Sequence, residues 1–449
     1  MKKIITLIAL TSISIYYVSG QSPAVMNNWV FGWFAGHNFT SNAPYSFNGT
    51  GMISEEGCVS YSDAQGNLLF YSNGGDIPGS GPGTGFGGVW NRNFQLMPNG
   101  NITGLAGCNS SPQSALIVPK SSTEYYMFTI GCSGYNTGLR KSIIDMSLDG
   151  GLGDLSVVGD VVLDNSTYYL AEGLTGTRHA NGTDVWLVVH DANGINFHVF
   201  LVSATGISSP VTQSVGLTSS NYGQIRFNLQ GSKIAFNREI FDFDNTTGII
   251  SNPVDLAQDN GWGRAFSASG RYLYQNSLYG ELYQFDVESS DIAASKVQLI
   301  ANPSGALGGM QIGPDLKIYL SQTGAGGLNV IDQPELPGIA CNYTPLGMLL
   351  FSGTQSTMGL PNYIDSDLNE LVGVADLKEM NKFSFFPNPT KDFIVFDSNR
   401  IKEELIVRNI VGEEVNNWRL EGNRLDVRDM EAGLYMLQFG AVAVKFVKQ

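Results

Sequence analysis

Much of this sequence consists of a repeated unit, in which a Gly- or Asp-containing turn is followed by a short strand rich in aromatic and β-branched residues. The turns lie near residues 66, 122, 182, 231, 270 and 316, about 40 to 60 residues apart. Four short strands with their turns need roughly 40–50 residues in propeller blades. Helical periodicity is absent, so the repeat predicts an all-β body built as a β-propeller.

Two segments are left over from the six repeats. The stretch "NNWVFGWFAGHNF" (27–39) precedes the first repeat, and "PLGMLLFSGTQSTMGLPNYI" (345–364) follows the last. Neither is long enough for a blade, but together they would complete one and leave no open sheet edge. We therefore expect seven blades closed by both ends of the body, with six blades as the alternative.

The N-terminus has the pattern of a secretory signal peptide. Two lysines precede an apolar run that starts at Ile4, and Val18, Ser19 and Gly20 form a small-residue exit. The apolar run is too short and too interrupted for a transmembrane anchor. We expect cleavage after residue 20, export to the periplasm and a mature body over 21–364, with no transmembrane segment.

Charge divides the mature chain. The protein has 25 basic and 40 acidic residues, for a net charge of −15. Residues 381–449 hold 10 of each, so the whole negative charge lies in residues 1–380. An acidic body argues against nucleic acid or an anionic membrane as a partner. The change in composition predicts a linker over 365–382 before a second domain.

The C-terminal segment carries a series of motifs in a fixed order: "FSFFPNPTKDFIVF", "ELIVRNIVGEEV", "NRLDVRDMEAGLYMLQF" and "AVKFVKQ". Over 383–449 this series resembles the type A C-terminal sorting domain of the type IX secretion system. The resemblance implies a small Ig-like β-sandwich that begins at Pro387, Asn388 and Pro389 and turns at Gly412 and Gly433. It also implies the type IX machinery as a partner, and release from the cell or attachment to its outer surface.

The body resembles known propeller repeats as well. "FSASGRYLY" is similar to the TolB-type and YVTN-type repeat, and "IGPDLKIYL" is similar to the same repeat with Leu316 in place of glycine. The whole body resembles surface propeller proteins of gliding bacteria that use type IX secretion. These resemblances imply a fold and leave the ligand open.

Four cysteines in an exported chain predict disulfides. Cys108 and Cys132 flank one predicted strand pair, so we expect them to be bridged. Cys58 and Cys341 then follow by elimination as a possible second pair. Metal sites and cofactors are not expected, because CxxC is absent and the four histidines lack ligand spacing.

Two classes of function remain open, since propellers include both binding proteins and enzymes. The first is a non-catalytic binding protein for a glycan, polymer or protein. Its candidate contacts are the tryptophans Trp33, Trp90 and Trp262. The second is a secreted hydrolase or lyase acting on polysaccharide. Its candidate catalytic residues are Glu56, Glu172 and Arg264, which lie near the starts of the predicted inner strands. We expect the binding protein, with the enzyme as the alternative.

Overall fold

A computed structural model describes residues 24–40, 44–76, 87–132, 135–218, 222–257, 261–277, 280–301, 305–370, 385–396, 405–409, 414–439 and 442–449. The predicted signal peptide, residues 371–382 of the predicted linker, and Gly412 lie outside these ranges. The described helices are short 3-10 turns: Ala24–Met26, Asp149–Gly151, Gly338–Cys341 and Asp365–Glu370. The remaining regular structure is strand, which confirms the all-β class.

Seven antiparallel sheets form the described part of the body, in chain order. The first has three strands: β1 (Asn28–Phe31), β2 (Ala35–Asn38) and β3 (Tyr45–Phe47). The second has β4 (Val59–Ser62), β5 (Leu68–Ser72), β6 (Gly88–Asn91) and β7 (Leu96–Asn101). The third has β8 (Ala115–Pro119), β9 (Glu124–Cys132), β10 (Tyr135–Asp145) and β11 (Asp154–Leu163).

The other four sheets follow the same plan, in which strands adjacent in sequence are neighbours in the sheet. In the fourth sheet, two short strands both pair with β14. Its strands are β12 (Leu170–Arg178), β13 (Val185–Asp191), β14 (Asn196–Ser203), β15 (Gly206–Ile207) and β16 (Val211–Ser214). The fifth has β17 (Arg226–Phe227), β18 (Lys233–Phe236), β19 (Glu239–Asp244) and β20 (Ile249–Asp255). The sixth has β21 (Arg264–Phe266), β22 (Tyr272–Asn276), β23 (Leu282–Asp286) and β24 (Val297–Ile300), and the seventh has β25 (Leu307–Ile312), β26 (Ile318–Gln322), β27 (Gly327–Ile331) and β28 (Tyr343–Leu349).

The repeated turns are the hairpins between the first and second strands of these sheets. Gly66, Gly231 and Gly270 adopt positive φ there, which glycine tolerates without a Cβ clash. Leu316 takes the equivalent position with φ 62°, although a leucine is disfavoured in this region. The hairpin geometry is therefore kept even where the glycine is missing.

First strands lie side by side through the body. β4 contacts β8, β8 contacts β12, and the series continues through β17 and β21 to β25. β1 also contacts β4, but β1 runs antiparallel to the chain that enters and forms β4. Ser54 N–H donates to the Gly32 carbonyl (3.0 Å), and the Ser60 hydroxyl donates to the Asn28 carbonyl (2.6 Å). The first sheet therefore lacks a first strand of its own that runs in the same direction as the others.

Residues 355–363 lie where that strand would be. Trp33 and Gln355 exchange two backbone hydrogen bonds (2.9 and 3.3 Å), and the Tyr363 hydroxyl donates to the Asn28 carbonyl (3.1 Å). On the other side, Cys58 forms a parallel bridge with Pro361. The segment thus runs antiparallel to β1 and parallel to the chain that enters β4. The two leftover stretches of the sequence analysis meet here.

Asn362 anchors this segment to distant sheets. Its side-chain amide N–H groups donate to the carbonyls of Ala115 (2.9 Å) and Leu174 (2.8 Å). Its side-chain oxygen accepts from Gln113 (3.1 Å) and from the buried guanidinium of Arg226 (3.1 Å). One asparagine therefore hydrogen-bonds to β8, β12 and β17 or to the residues just before them.

Part of the predicted linker also contacts the body. The 3-10 helix Asp365–Glu370 packs against β12. Asp367 forms an ion pair with Arg178 (2.5 Å), and Asp365 lies 3.6 Å from Arg226 and accepts a hydrogen bond from Gln311 (2.7 Å). Residues 365–370 are therefore held by the body.

A disulfide joins Cys108 to Cys132, the pair that the sequence analysis favoured, with Cα atoms 5.5 Å apart. The second pair, proposed by elimination, is wrong: Cys58 and Cys341 are free, buried thiols. Cys58 precedes the first strand of the second sheet, where it bridges to Pro361. Cys341 ends a 3-10 helix just before β28, the last strand of the seventh sheet. First and last strands lie at opposite edges of their sheets, which keeps the two thiols apart.

The tail forms two sheets with a common core. One sheet has the order β29-β30-β33-β32, and the other has β31-β34-β35. The strands are β29 (Phe385–Phe386), β30 (Phe393–Phe396), β31 (Leu405–Asn409), β32 (Arg419–Glu421), β33 (Arg424–Asp426), β34 (Gly433–Phe439) and β35 (Val442–Lys448). Buried apolar side chains from both sheets pack together, including Ile394, Phe396, Val407, Leu425, Leu437 and Phe446.

Candidate functional site

Two of the three predicted catalytic residues interact electrostatically. Glu56 is in the segment that enters β4, and Glu172 is near the start of β12. Burial and the nearby charge of Glu172 raise the pKa of Glu56 to about 8. Desolvation and a nearby like charge both disfavour the ionised form of a carboxyl group. At neutral pH Glu56 is therefore largely protonated and can donate a hydrogen bond or a proton.

Only one of the two oxygens of the Glu56 carboxyl group has a hydrogen-bond partner among the described residues. Its Oε1 accepts a hydrogen bond from the Ser110 hydroxyl (3.0 Å), while Oε2 is buried without a partner among the described residues. Its backbone N–H donates to the carbonyl of Asn109 (2.9 Å). The side chain of Asn109 is fully buried, and its two polar atoms also have no partner in the described part of the chain. Buried polar atoms without partners are costly, so each needs an explanation.

Arg264 hydrogen-bonds to backbone carbonyl groups. It is fully buried, and its guanidinium donates to the carbonyls of Gln224, Asn237 (2.8 Å) and Gly261 (2.7 Å). Burial and the neighbouring guanidinium of Arg226 lower its pKa. These contacts tie the start of the sixth sheet to the chain before and within the fifth sheet. A catalytic role for Arg264 beside Glu56 and Glu172 therefore stays a prediction.

The three predicted tryptophans differ in exposure. Trp90 stacks on Tyr71 with ring centroids 5.6 Å apart and is buried, and Trp262 is buried as well. Trp33 is 43% exposed. Of these candidates, only Trp33 can present its ring to a ligand without a change in the fold.

Trp33 stands in a tight turn next to the glutamate segment. It bridges to Ile53, three residues before Glu56, and to Gln355 of the closing segment. Phe34 follows it in the turn, is also exposed, and has φ 59°. A phenylalanine is rare in this conformation, and such residues concentrate at functional sites. The sequence analysis missed Phe34, although "GWF" between two short strands is an unusual composition for a turn.

No group of three or more His, Cys, Asp or Glu side chains that could hold a metal ion occurs among the described residues. Nor does that part of the chain contain a helix that is long and apolar enough to cross a membrane.

The sorting motif of the tail is tied to the last strand. Pro387, Asn388 and Pro389 are exposed, and the Asn388 side chain accepts a hydrogen bond from the backbone of Val447 (2.9 Å). The next residue, Thr390, donates its backbone N–H to the Val447 carbonyl (2.8 Å). Gly433 begins β34. The start and the end of the tail domain are thus hydrogen-bonded to each other.

Comparison with known families identifies the type of domain that the tail forms. Residues 384–449 match the family described as the secretion system C-terminal sorting domain. This match confirms the predicted sorting domain and indicates secretion through the type IX system, to the outer surface or the extracellular space. No curated protein gives a significant match to the chain.

Solved structures resemble the body only distantly. A putative 6-phosphogluconolactonase from Bacteroides fragilis has 11% identity and a TM-score of 0.49, and the match covers 74% of this chain and 97% of that one. A catalytically inactive virginiamycin B lyase from Staphylococcus aureus, solved with quinupristin, has 11% identity and a TM-score of 0.36, over 75% of this chain and 94% of that one. A protein of unknown function from Bacteroides caccae has 14% identity and a TM-score of 0.34, over 55% and 85%. Similarities at this level assign no activity.

Proposed function

We propose that this protein is a seven-bladed β-propeller exported by its signal peptide (1–20) and then carried across the outer membrane by the type IX machinery. The seven successive sheets, the adjacent first strands and the closing segment 355–363 support the ring. Two sheets around one core support an Ig-like sandwich for the tail. Residues 371–382 would connect the two domains, with the propeller exposed outside the cell.

The function that the geometry supports best is binding of an extracellular glycan without catalysis. The observation that carries this proposal is the turn that exposes Trp33 and Phe34 beside the segment holding Glu56. Aromatic rings provide flat apolar surface for a sugar ring, and nearby carboxyl groups provide hydrogen bonds to hydroxyls. The acidic body favours a neutral or cationic polymer over a sulfated or phosphorylated one.

A glycan array probed with the mature secreted protein tests this proposal. We expect one glycan class to bind, and Trp33→Ala to reduce its affinity by about tenfold or more, as for loss of an aromatic anchor. Tyr45→Ala is the matched control, since Tyr45 is an exposed aromatic on β3 outside this turn. No glycan binding, or equal losses in the two variants, would contradict the assignment.

A polysaccharide hydrolase or lyase is the second candidate, and the Glu56–Glu172 pair favours it. A carboxyl group that stays protonated at neutral pH beside a second carboxyl group has the arrangement of a general acid and its partner. Activity on the bound glycan, lost in Glu56→Gln and Glu172→Gln while binding remains, would establish the enzyme. Binding without any product would support the non-catalytic protein.

A further inference from the structure

A cavity that Trp33 and Phe34 do not line lies between the first and the seventh sheets. Its volume is about 510 Å³, which is within the range of small-molecule sites. β2 and β3 form one wall, and β26, β27 and β28 form the other. β3 is three residues long, whereas β28 has seven, and much of β28 is exposed.

His37 provides a buried hydrogen-bond acceptor in the first wall. The Ser46 hydroxyl donates its only proton to the carbonyl of Leu349 (2.7 Å). His37 Nδ1, 3.1 Å from the same hydroxyl oxygen, must therefore be the donor in that pair. Burial lowers the pKa of His37 to about 4, so the ring is neutral at pH 7 and Nε2 keeps its lone pair. His37 is only 5% exposed and lines the cavity.

Asp315 and Lys317 provide polar groups in the opposite wall. The Asp315 carboxyl group accepts from the Tyr319 hydroxyl (2.8 Å) and from the Lys317 backbone N–H (3.3 Å), which leaves lone pairs on both oxygens. Desolvation by the surrounding protein raises the pKa of Asp315, which lines the cavity. The Lys317 ammonium donates to Asp332 (2.8 Å) and has further N–H groups to offer.

The rim of the cavity is apolar. Leu349 is 70% exposed and Phe351 is 46% exposed, and both border the cavity. Large side chains this open, gathered beside polar groups, are typical of ligand sites. The cavity is thus lined by hydrogen-bond acceptors, a donor and an exposed aromatic ring.

We propose that this cavity binds one sugar unit of a neutral glycan, as a site separate from the Trp33 turn. Sugar hydroxyls can donate to His37 Nε2 and to Asp315 and accept from Lys317. The apolar C–H face of the sugar ring packs against Phe351. Asp315 and Asp332 outnumber Lys317, so the cavity disfavours phosphate and carboxylate ligands.

The test is saturation-transfer NMR on the mature secreted protein with D-glucose, D-galactose, D-mannose and N-acetyl-D-glucosamine as probes, followed by titration of any sugar that binds. The test variants are Asp315→Asn, which removes an acceptor without changing shape, and Phe351→Ala, which removes the exposed ring. Ile339→Ala is the matched control, since Ile339 is 91% exposed and outside the cavity. Trp33→Ala reports whether the signal comes from the other site.

We expect at least one sugar to bind with a millimolar Kd. Asp315→Asn and Phe351→Ala should each weaken it about tenfold, the usual effect of losing one such contact. Ile339→Ala and Trp33→Ala should leave the Kd unchanged. The proposal is overturned if none of the four sugars binds, if binding survives both test variants, or if Trp33→Ala alone abolishes it. Methylammonium is added as a cationic probe, and its binding in place of every sugar would likewise overturn the proposal, because the cavity would then be a cation site.

Discussion

At the scale of single residues, the two glutamates are the most informative groups in the body. A carboxyl group held beside another one in a buried site favours its protonated form. Glu56 is in this position. One of its oxygens is hydrogen-bonded to Ser110, and the other is buried without a partner among the described residues. The proton on Glu56 should therefore be linked to the stability of the fold.

We predict that Glu56 makes the protein less stable as pH rises. Its pKa is about 8 in the folded chain and near 4.5 in the unfolded chain. Between these values the folded state binds more protons than the unfolded state, so the free energy of unfolding falls as pH increases. Glu56→Gln cannot ionise and should flatten this slope. Urea unfolding at pH 5 and pH 8 measures it.

Glu288→Gln is the control for this measurement, since Glu288 is an exposed carboxylate. If Glu56→Gln and the wild-type protein lose the same stability between pH 5 and pH 8, the raised pKa of Glu56 is refuted.

The cysteines give a second prediction at this scale. Cys108→Ala together with Cys132→Ala should lower the free energy of unfolding by about 3 kcal/mol, because the bridge closes a loop of 24 residues in the unfolded chain. Peptide mapping without reduction should find these two residues linked, and Cys58 and Cys341 alkylated only after unfolding. A peptide pair containing Cys58 would disprove this arrangement.

At the scale of elements, the closing segment 355–363 determines how the body is completed. It takes the place of a first strand beside β1, and Asn362 connects it to three other sheets. Few of its contacts are regular strand pairing. Its position therefore depends on side-chain hydrogen bonds more than the positions of the other first strands do.

Asn362→Leu should destabilise the body by roughly 3 kcal/mol or more. The change removes four hydrogen bonds and leaves the guanidinium of Arg226 and two carbonyls with fewer partners, in a site without access to water. Thermal unfolding of the mature protein measures the loss. Asn93→Leu, in an exposed turn, is the control and should have little effect. Equal unfolding temperatures for the two variants would argue against a closing role for the segment.

Much of this element arrangement could be predicted from the sequence, because the hairpin turns are local and their spacing repeats. The meeting of 27–39 with 345–364 followed from the same spacing. The contacts of Asn362 could not be predicted, since they join residues more than 130 positions apart through side chains.

The pairing of Cys58 with Cys341 was predicted wrongly, because elimination used no information on which edge of a sheet each cysteine occupies. Among the predicted contacts, Trp33 is exposed, whereas Trp90 and Trp262 are buried. The spacing of the repeats does not indicate which tryptophan is exposed.

At the scale of the whole molecule, the chain combines an acidic body with a tail of zero net charge that belongs to the secretion route. The sorting motifs are contiguous and ordered, so the destination could be predicted from the sequence. The ligand could not, because a binding surface is assembled from loops of different sheets. We infer that the tail is the sorting signal that directs the body out of the cell.

Deletion of 384–449 tests that claim most directly. The full-length protein and the truncated form, each with residues 1–20, are expressed in a bacterium with an active type IX system and located by fractionation and surface proteolysis. We expect the full-length body outside the cell or on its surface, and the truncated body in the periplasm. Recovery of the truncated body outside intact cells, in the same proportion as the full-length protein, would contradict it.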